Sequence, residues 1–279
     1  MIEFESVTKD FGGGVIAVDD LDLRIASDEI TVLVGSSGSG KTTILRMINR
    51  MVDPTRGRVS IDGVDVAGMQ PVALRRRIGY VMQSSGLLPH RRVLDNVTTV
   101  LRLTGVPKAE SRERGRALMA TVGLDPQLAH RYPNQLSGGQ QQRVGVARAL
   151  ATDPNILLMD EPFGAVDPIV RLELQDELLR LQRERARTVV FITHDIDEAF
   201  RIGDQVVILS AGGLIAQRGT PAELLAAPAS DFVAEFIGVE RGRRSLRIVE
   251  RDGSRVVVDA AGRPAGVLRE ERSSEAETS

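Results

Sequence analysis

The stretch Ile30-Thr31-Val32-Leu33-Val34-Gly35-Ser36-Ser37-Gly38-Ser39-Gly40-Lys41-Thr42-Thr43 joins a short apolar run to a glycine-rich loop and then to a helical pattern. Ile30 to Val34 is nearly all apolar, as a buried central strand must be. Gly35 to Thr42 fits G-x-x-x-x-G-K-[ST], the P-loop, in the strand-loop-helix context that gives the motif meaning. Its glycines let backbone N–H groups turn toward phosphate oxygens, and the following helix start adds a favourable dipole. Gly35, Ser36, Ser37, Gly38, Ser39, Gly40, Lys41, Thr42 and Thr43 are therefore the candidate phosphate cradle. Lys41 supplies a mobile point charge to the β- and γ-phosphates, and the Thr42 hydroxyl is a candidate Mg²⁺ ligand. Lysine is scarce here: among 36 basic residues only Lys9, Lys41 and Lys108 are lysines. A lysine at a motif position is then unusually informative.

Outward from this stretch, Ile2 to Val7 and Val15 to Ile25 read as antiparallel strands with alternating apolar and polar residues. The helix after the loop is expected from Lys41 to about Met51, followed by a turn-rich segment and a hairpin near Ile61-Asp62-Gly63. Residues 84–151 turn mainly helical, as an inserted subdomain would. Apolar strand patterns return at Ile156 to Asp160, Thr188 to Thr193 and Gln205 to Leu209, with a long helix from about Ile169 to Ala186 between the first two. Strands alternating with helices predict an α/β fold: a mainly parallel sheet covered on both faces, with an N-terminal antiparallel β layer.

Two further clusters carry chemistry. Leu136-Ser137-Gly138-Gly139-Gln140 opens a helix that Ser137 can cap, with two glycines permitting close backbone approach. It is a second anion-binding helix start, and one nucleotide does not need two from the same chain. At Ile156 to Glu161 an apolar strand ends in adjacent carboxylates. Asp160 is placed to hold a Mg²⁺ shell, and Glu161 to orient or deprotonate an attacking water.

With these motifs in this order, residues 1–238 resemble the ATPase subunits of ABC transporters. The resemblance implies a RecA-like P-loop NTPase core and a homodimer with two composite ATP sites. Each site would pair one protomer's P-loop with the other's Ser137, Gly138, Gly139 and Gln140. It also implies a switch role for His194 at the γ-phosphate and a Q-loop role for Gln83, which would sense Mg²⁺ and the water. Phe11 matches the aromatic that stacks on adenine, and Asp167 matches the loop that talks across the dimer. His90 and His130 have no such context and receive no chemistry.

Several stretches resemble a narrower group, the importers of glycine betaine, choline and carnitine: Leu45 to Arg50, Pro89-His90, Pro162 to Ile169, Gln140 to Ala149 and Phe191 to Ala199. None would touch the transported solute, so the likeness is analogy. It implies integral membrane permease subunits and, indirectly, a substrate-binding protein as partners. Arg91-Arg92 stand where the family has an uncharged pair, beside the surface expected to meet the membrane partner. The alternatives are transport of another substrate, an exporter, or a soluble non-transport ABC ATPase.

Composition sets the outer limits. A formal net charge of −2 gives no general attraction to nucleic acid, and without cysteine there is no thiolate metal site. The acidic start Met1-Ile2-Glu3-Phe4-Glu5 lacks the form of a secretory signal, and no apolar run is long enough to span a bilayer. The expected location is cytoplasmic, peripheral on the inner face of the plasma membrane. Residues 239–279 read as an extension rich in arginine and glutamate. Arg255 to Leu268 within it resembles half a CBS module, and Ser273 to Ser279 reads as a disordered tail.

Overall fold

Strand β3 (Ile30–Gly35) is buried at all six positions, the demand its apolar run makes. It lies in a sheet with β6 (Ile78–Val81), β7 (Ile156–Asp160), β8 (Thr188–Thr193), β9 (Gln205–Leu209) and β10 (Ile215–Gly219), in the order β10-β9-β3-β8-β7-β6. All neighbours pair in parallel except β10, which runs antiparallel to β9. A second, antiparallel sheet has the order β2-β1-β4-β5, from β1 (Ile2–Asp10), β2 (Ile16–Ile25), β4 (Arg56–Ile61) and β5 (Val64–Asp65). The computed structural model describes residues 1–164, 166–238, 246–251, 254–258 and 262–267.

Helix α1 (Lys41–Ile48) follows the glycine-rich loop and buries Ile44, Leu45, Met47 and Ile48. These join Ile2, Phe4, Leu23 and Ile25 of the antiparallel layer and Leu158, Val190 and Ile192 of the parallel sheet in one core. Each such side chain, fully withdrawn from water, contributes about 1.5–3 kcal/mol before entropy is counted. The helix ends three residues before the expected Met51, because Arg50 turns left-handed at φ 55° and the chain reverses.

Helices α2 (Pro71–Arg77), α3 (Val93–Val97), α4 (Thr99–Leu103), α5 (Lys108–Thr121) and α6 (Gly138–Leu150) follow. Of these, α3, α5 and α6 pack on one another as the helical insertion. Helix α7 (Pro168–Glu184) precedes β8, and α8 (Ile196–Ile202) precedes β9. Two short helices, α9 (Pro221–Ala226) and α10 (Asp231–Ile237), come after β10. Among the described helices none is long and apolar enough to cross a membrane.

The described residues form two compact units, one from Met1 to Leu224 and one from Leu225 onward. The second holds α10 and an antiparallel sheet of β11 (Arg247–Arg251), β12 (Ser254–Val258) and β13 (Pro264–Val267). The strand-turn-strand pattern expected after Arg255 is thus accompanied by one more strand, β11, hidden in the sequence by its flanking charges. The tail expected at Ser273 to Ser279 lies outside the described residues.

Candidate functional site

Parallel strands bring their carboxyl ends to one edge of the sheet, where ligands of such folds bind. The register aligns Val34 with Thr193 and Asp160 with Ile192. The glycine-rich loop, the carboxylate pair and the segment of His194 therefore leave the sheet side by side.

In the loop, Gly40 is left-handed at φ 79°, and a Cβ there would stand 2.4 Å from the Ala17 carbonyl oxygen. Both facts demand glycine. Gly40 caps α1 without any side-chain hydrogen bond, so the first N–H groups of the helix have no side-chain acceptor. Lys41 is only 6% exposed. Its ammonium donates to the carbonyls of Gly35 and Ser36, each at 2.8 Å, and to Ser39 Oγ at 3.1 Å. Burial lowers its pKa, opposed by the nearby Glu161 and Asp160 carboxylates.

The Thr42 hydroxyl donates to Asp160 Oδ1 at 3.0 Å, joining two residues 118 positions apart. Asp160 is buried, which raises its pKa; hydrogen bonding from Thr42 and the charge of Arg46 act in the opposite sense. Tyr80, near the end of β6, donates to the other carboxylate oxygen at 3.4 Å. No motif marks Tyr80 in the sequence, although its place one strand away from Asp160 is a usable signal.

Glu161 adopts φ 44°, unusual for a residue other than glycine, while its amide donates to Ile192 O at 3.1 Å. The turn takes its side chain away from the strand. Its Oε2 accepts from Gln83 Nε2 at 3.2 Å and lies 3.4 Å from His194 Nδ1. Gln83 and His194 thus converge on one oxygen of Glu161.

Ser137 caps α6 in a reciprocal box: its hydroxyl accepts from Gln140 N at 3.2 Å, and Gln140 Oε1 accepts from Ser137 N at 3.0 Å. Ser137 and Gln140 bond to each other and not to the glycine-rich loop. A Cβ at Gly139 would meet only Val166 Cγ1, at an ordinary 3.7 Å. Among the described residues there is therefore no steric reason for that glycine.

Phe11 is 56% exposed, with the Lys9 ammonium 5.0 Å from its ring centre. It is not a core residue, the usual fate of a phenylalanine near a strand end. Asp167 accepts from Val170 N at 3.1 Å as the N-cap of α7. This structural duty adds to the contact between subunits that the sequence suggests. Replacing Asp167 with Ala should lower unfolding stability by about 1 kcal/mol, while Asp167→Asn keeps most of it. Denaturant unfolding of the two variants measures this, and equal stability would show that the cap contributes nothing.

A P-loop on a mainly parallel sheet, with paired carboxylates at a nearby strand end and a second capped helix start, defines a P-loop nucleotide-binding cassette. The chain belongs to the ABC transporter family, whose model matches residues 18–164. It is 49% identical over 251 residues to the glycine betaine/carnitine/choline transport ATP-binding protein of Bacillus subtilis, covering 90% of this chain and 66% of that one. It is 50% identical over 249 residues to the glycine betaine uptake system ATP-binding protein of Escherichia coli, covering 89% of this chain and 80% of the relative. Several curated relatives are thus longer; the chain spans 63% of the choline transport ATP-binding protein of B. subtilis. A dimeric post-hydrolysis ATP-binding cassette bound to ADP and Pi superposes with a TM-score of 0.74 at 34% identity. That match covers 79% of this chain and 99% of the cassette.

Proposed function

We propose that this chain is the ATP-hydrolysing subunit of an ABC importer that takes up a quaternary-amine osmoprotectant. The observation that carries the ATPase reading is the convergence of Gln83 and His194 on one Glu161 oxygen, beside the Lys41 loop. The N–H groups of Gly38 to Thr42 and the Lys41 ammonium would bind the phosphates, with a phosphate oxygen displacing one of the ammonium's present acceptors. Phe11, already exposed, would stack on adenine.

Thr42 Oγ1 and Asp160 Oδ1 form a hard-oxygen pair suited to Mg²⁺, and Gln83, which bonds the adjacent Glu161, would add a further ligand. Among the described residues no group of three His, Cys, Asp or Glu side chains is placed to hold a metal ion. The ion would therefore depend on phosphate oxygens for its remaining contacts, the usual habit of Mg²⁺. When bound it would offset charge on the β- and γ-phosphates. Glu161 would orient the attacking water and take up its proton, and His194 would hold the γ-phosphate.

The Ser137–Gln140 cap would serve the partner protomer's nucleotide. Two observations support this: the Ser137 hydroxyl hydrogen stays free to donate outward, and Gly139 leaves room for an approaching phosphate. Two composite sites would then form in a homodimer, as the dimeric cassette of similar fold suggests.

The membrane subunits would meet the helical insertion at a groove of about 690 Å³ that includes His90, Arg91, Arg92, Arg102 and Lys108 against one carboxylate, Asp95. Residues 1–238 would form the ATPase domain with its helical subdomain over 84–151. Residues 239–279 would be an extension related to half a CBS module, a reading supported by the antiparallel β12–β13 pair. The subunit would sit on the cytoplasmic membrane face, and a separate binding protein would select the solute.

The transport reading rests on relatives named for glycine betaine, carnitine and choline, at 47–50% identity. Labelled betaine, choline and carnitine uptake is measured in cells with and without the intact gene, at high and low osmotic strength. Loss of uptake of one of these on deletion is expected. Unchanged uptake of all of them, with loss for a metal, peptide or amino acid, would refute the substrate class and leave the ATPase reading standing.

A further inference from the structure

Gln83 stands at the start of an irregular loop, Met82 to Gly86, that lies along helix α6. Four side-chain contacts fasten the two. Arg148 donates through its two terminal nitrogens to consecutive carbonyls, Gly86 O at 2.7 Å and Ser85 O at 2.9 Å. Gln141 Oε1 accepts from Ser85 Oγ at 3.3 Å, and the buried Gln142 reaches Met82 O at 3.5 Å. Between them, a Cβ on Gly145 would lie 3.5 Å from Ser85 O, so the loop backbone rests directly on the helix.

Residues 141, 145 and 148 are spaced i, i+4 and i+7, which places them on one face of α6. Gln141 does more than hold Ser85. Its Nε2 donates to Pro133 O at 3.1 Å and Leu136 O at 3.3 Å, just ahead of the Ser137 cap. One side chain therefore bridges the Gln83 loop and the approach to the second anion-binding helix start. Arg148 is largely buried, and its planar fork matches two adjacent carbonyls in a way a lysine cannot.

We propose that Gln141 and Arg148 are positioning residues that lock the Gln83 loop to α6, so that Gln83 and the Ser137 cap shift as one rigid piece. Neither touches nucleotide; each acts by holding Gln83 where it meets Glu161. Movement at either end, contact at the Glu161 oxygen or engagement of the Ser137 cap by a partner, is passed through this face of the helix.

This rests on the proposed ATPase reading, and the test separates the two. The full chain is prepared as wild type, Gln83→Ala, Arg148→Lys, Gln141→Ala, and Gln83→Ala combined with each of the others. Arg148→Lys should lower kcat about ten-fold while KM for ATP stays within about two-fold, the pattern of lost orientation rather than lost binding. In the Gln83→Ala background the same change should be nearly silent, because the residue it places is gone. Hydrogen exchange, which needs no turnover, should speed up at Ser85 to Leu88 in Arg148→Lys and stay unchanged at Gly35 to Thr43. Gln141→Ala gives a second variant that leaves Arg148 and its two carbonyl partners untouched, should Arg148→Lys fail to fold. Losses that multiply in the double variants, or unchanged exchange across the loop, would overturn the lock. A wild-type chain without hydrolysis would instead refute the ATPase reading, and the exchange experiment would still decide the lock.

Discussion

Glu161→Gln is expected to bind ATP almost as the wild type does and to hydrolyse it about 10²- to 10⁴-fold more slowly, the range for loss of a positioned general base. In transition-state terms that is about 3–5 kcal/mol. Glutamine is nearly isosteric and keeps one oxygen to accept from Gln83, but it cannot take a proton from water. Hydrolysis should fail while both cradles remain, so with Mg-ATP the variant should accumulate as a closed dimer. Steady-state turnover and light scattering with and without Mg-ATP are the measurements. Turnover within about ten-fold of wild type would remove Glu161 from the catalytic role, a smaller effect than general-base loss produces.

Lys41→Ala should weaken ATP binding about 10- to 100-fold, because charged hydrogen bonds contribute about 1.5–3 kcal/mol each and about 1.4 kcal/mol is a factor of ten. Hydrolysis should drop further, since charge grows on the transferring phosphoryl group. Lys41→Arg, which keeps the charge, should not restore function either. The slot is buried and shaped by two carbonyls and the Ser39 hydroxyl around a compact ammonium, and a planar guanidinium needs a different arrangement of acceptors. Titration with a fluorescent ATP analogue tests binding, and near-normal affinity in Lys41→Ala would count against the phosphate cradle.

Much of the fold is legible from local pattern. Five apolar or β-branched positions, Ile30 to Val34, announce β3, which runs one residue further to Gly35, and such runs locate β7 and β8 without error at either end. Loop chemistry at Gly35 to Thr43 and a Ser-Gly-Gly-Gln start at α6 are likewise encoded within a few residues, because backbone conformation and capping are short-range effects. Strand β10 escapes such a reading: only two apolar residues, Ile215 and Ala216, open its five, and its place is fixed by pairing with β9. Strand β11 is obscured in the same way by the arginines and glutamate around Ile248-Val249.

Residue order settles which groups the chain offers: a phosphate loop, a capped second helix start, two carboxylates at a strand end and a histidine after another. Which of them meet is a matter of tertiary structure. Thr42 finds Asp160 across 118 positions and Gln83 finds Glu161 across 78, because parallel register aligns strand ends whose separation along the chain carries no local signal. The folded chain also turns Phe11 outward, sets Asp167 at the start of α7, and lets Arg148 grip Ser85 and Gly86. Each of these depends on how elements pack, and packing selects among partners that residue type and spacing leave equally available.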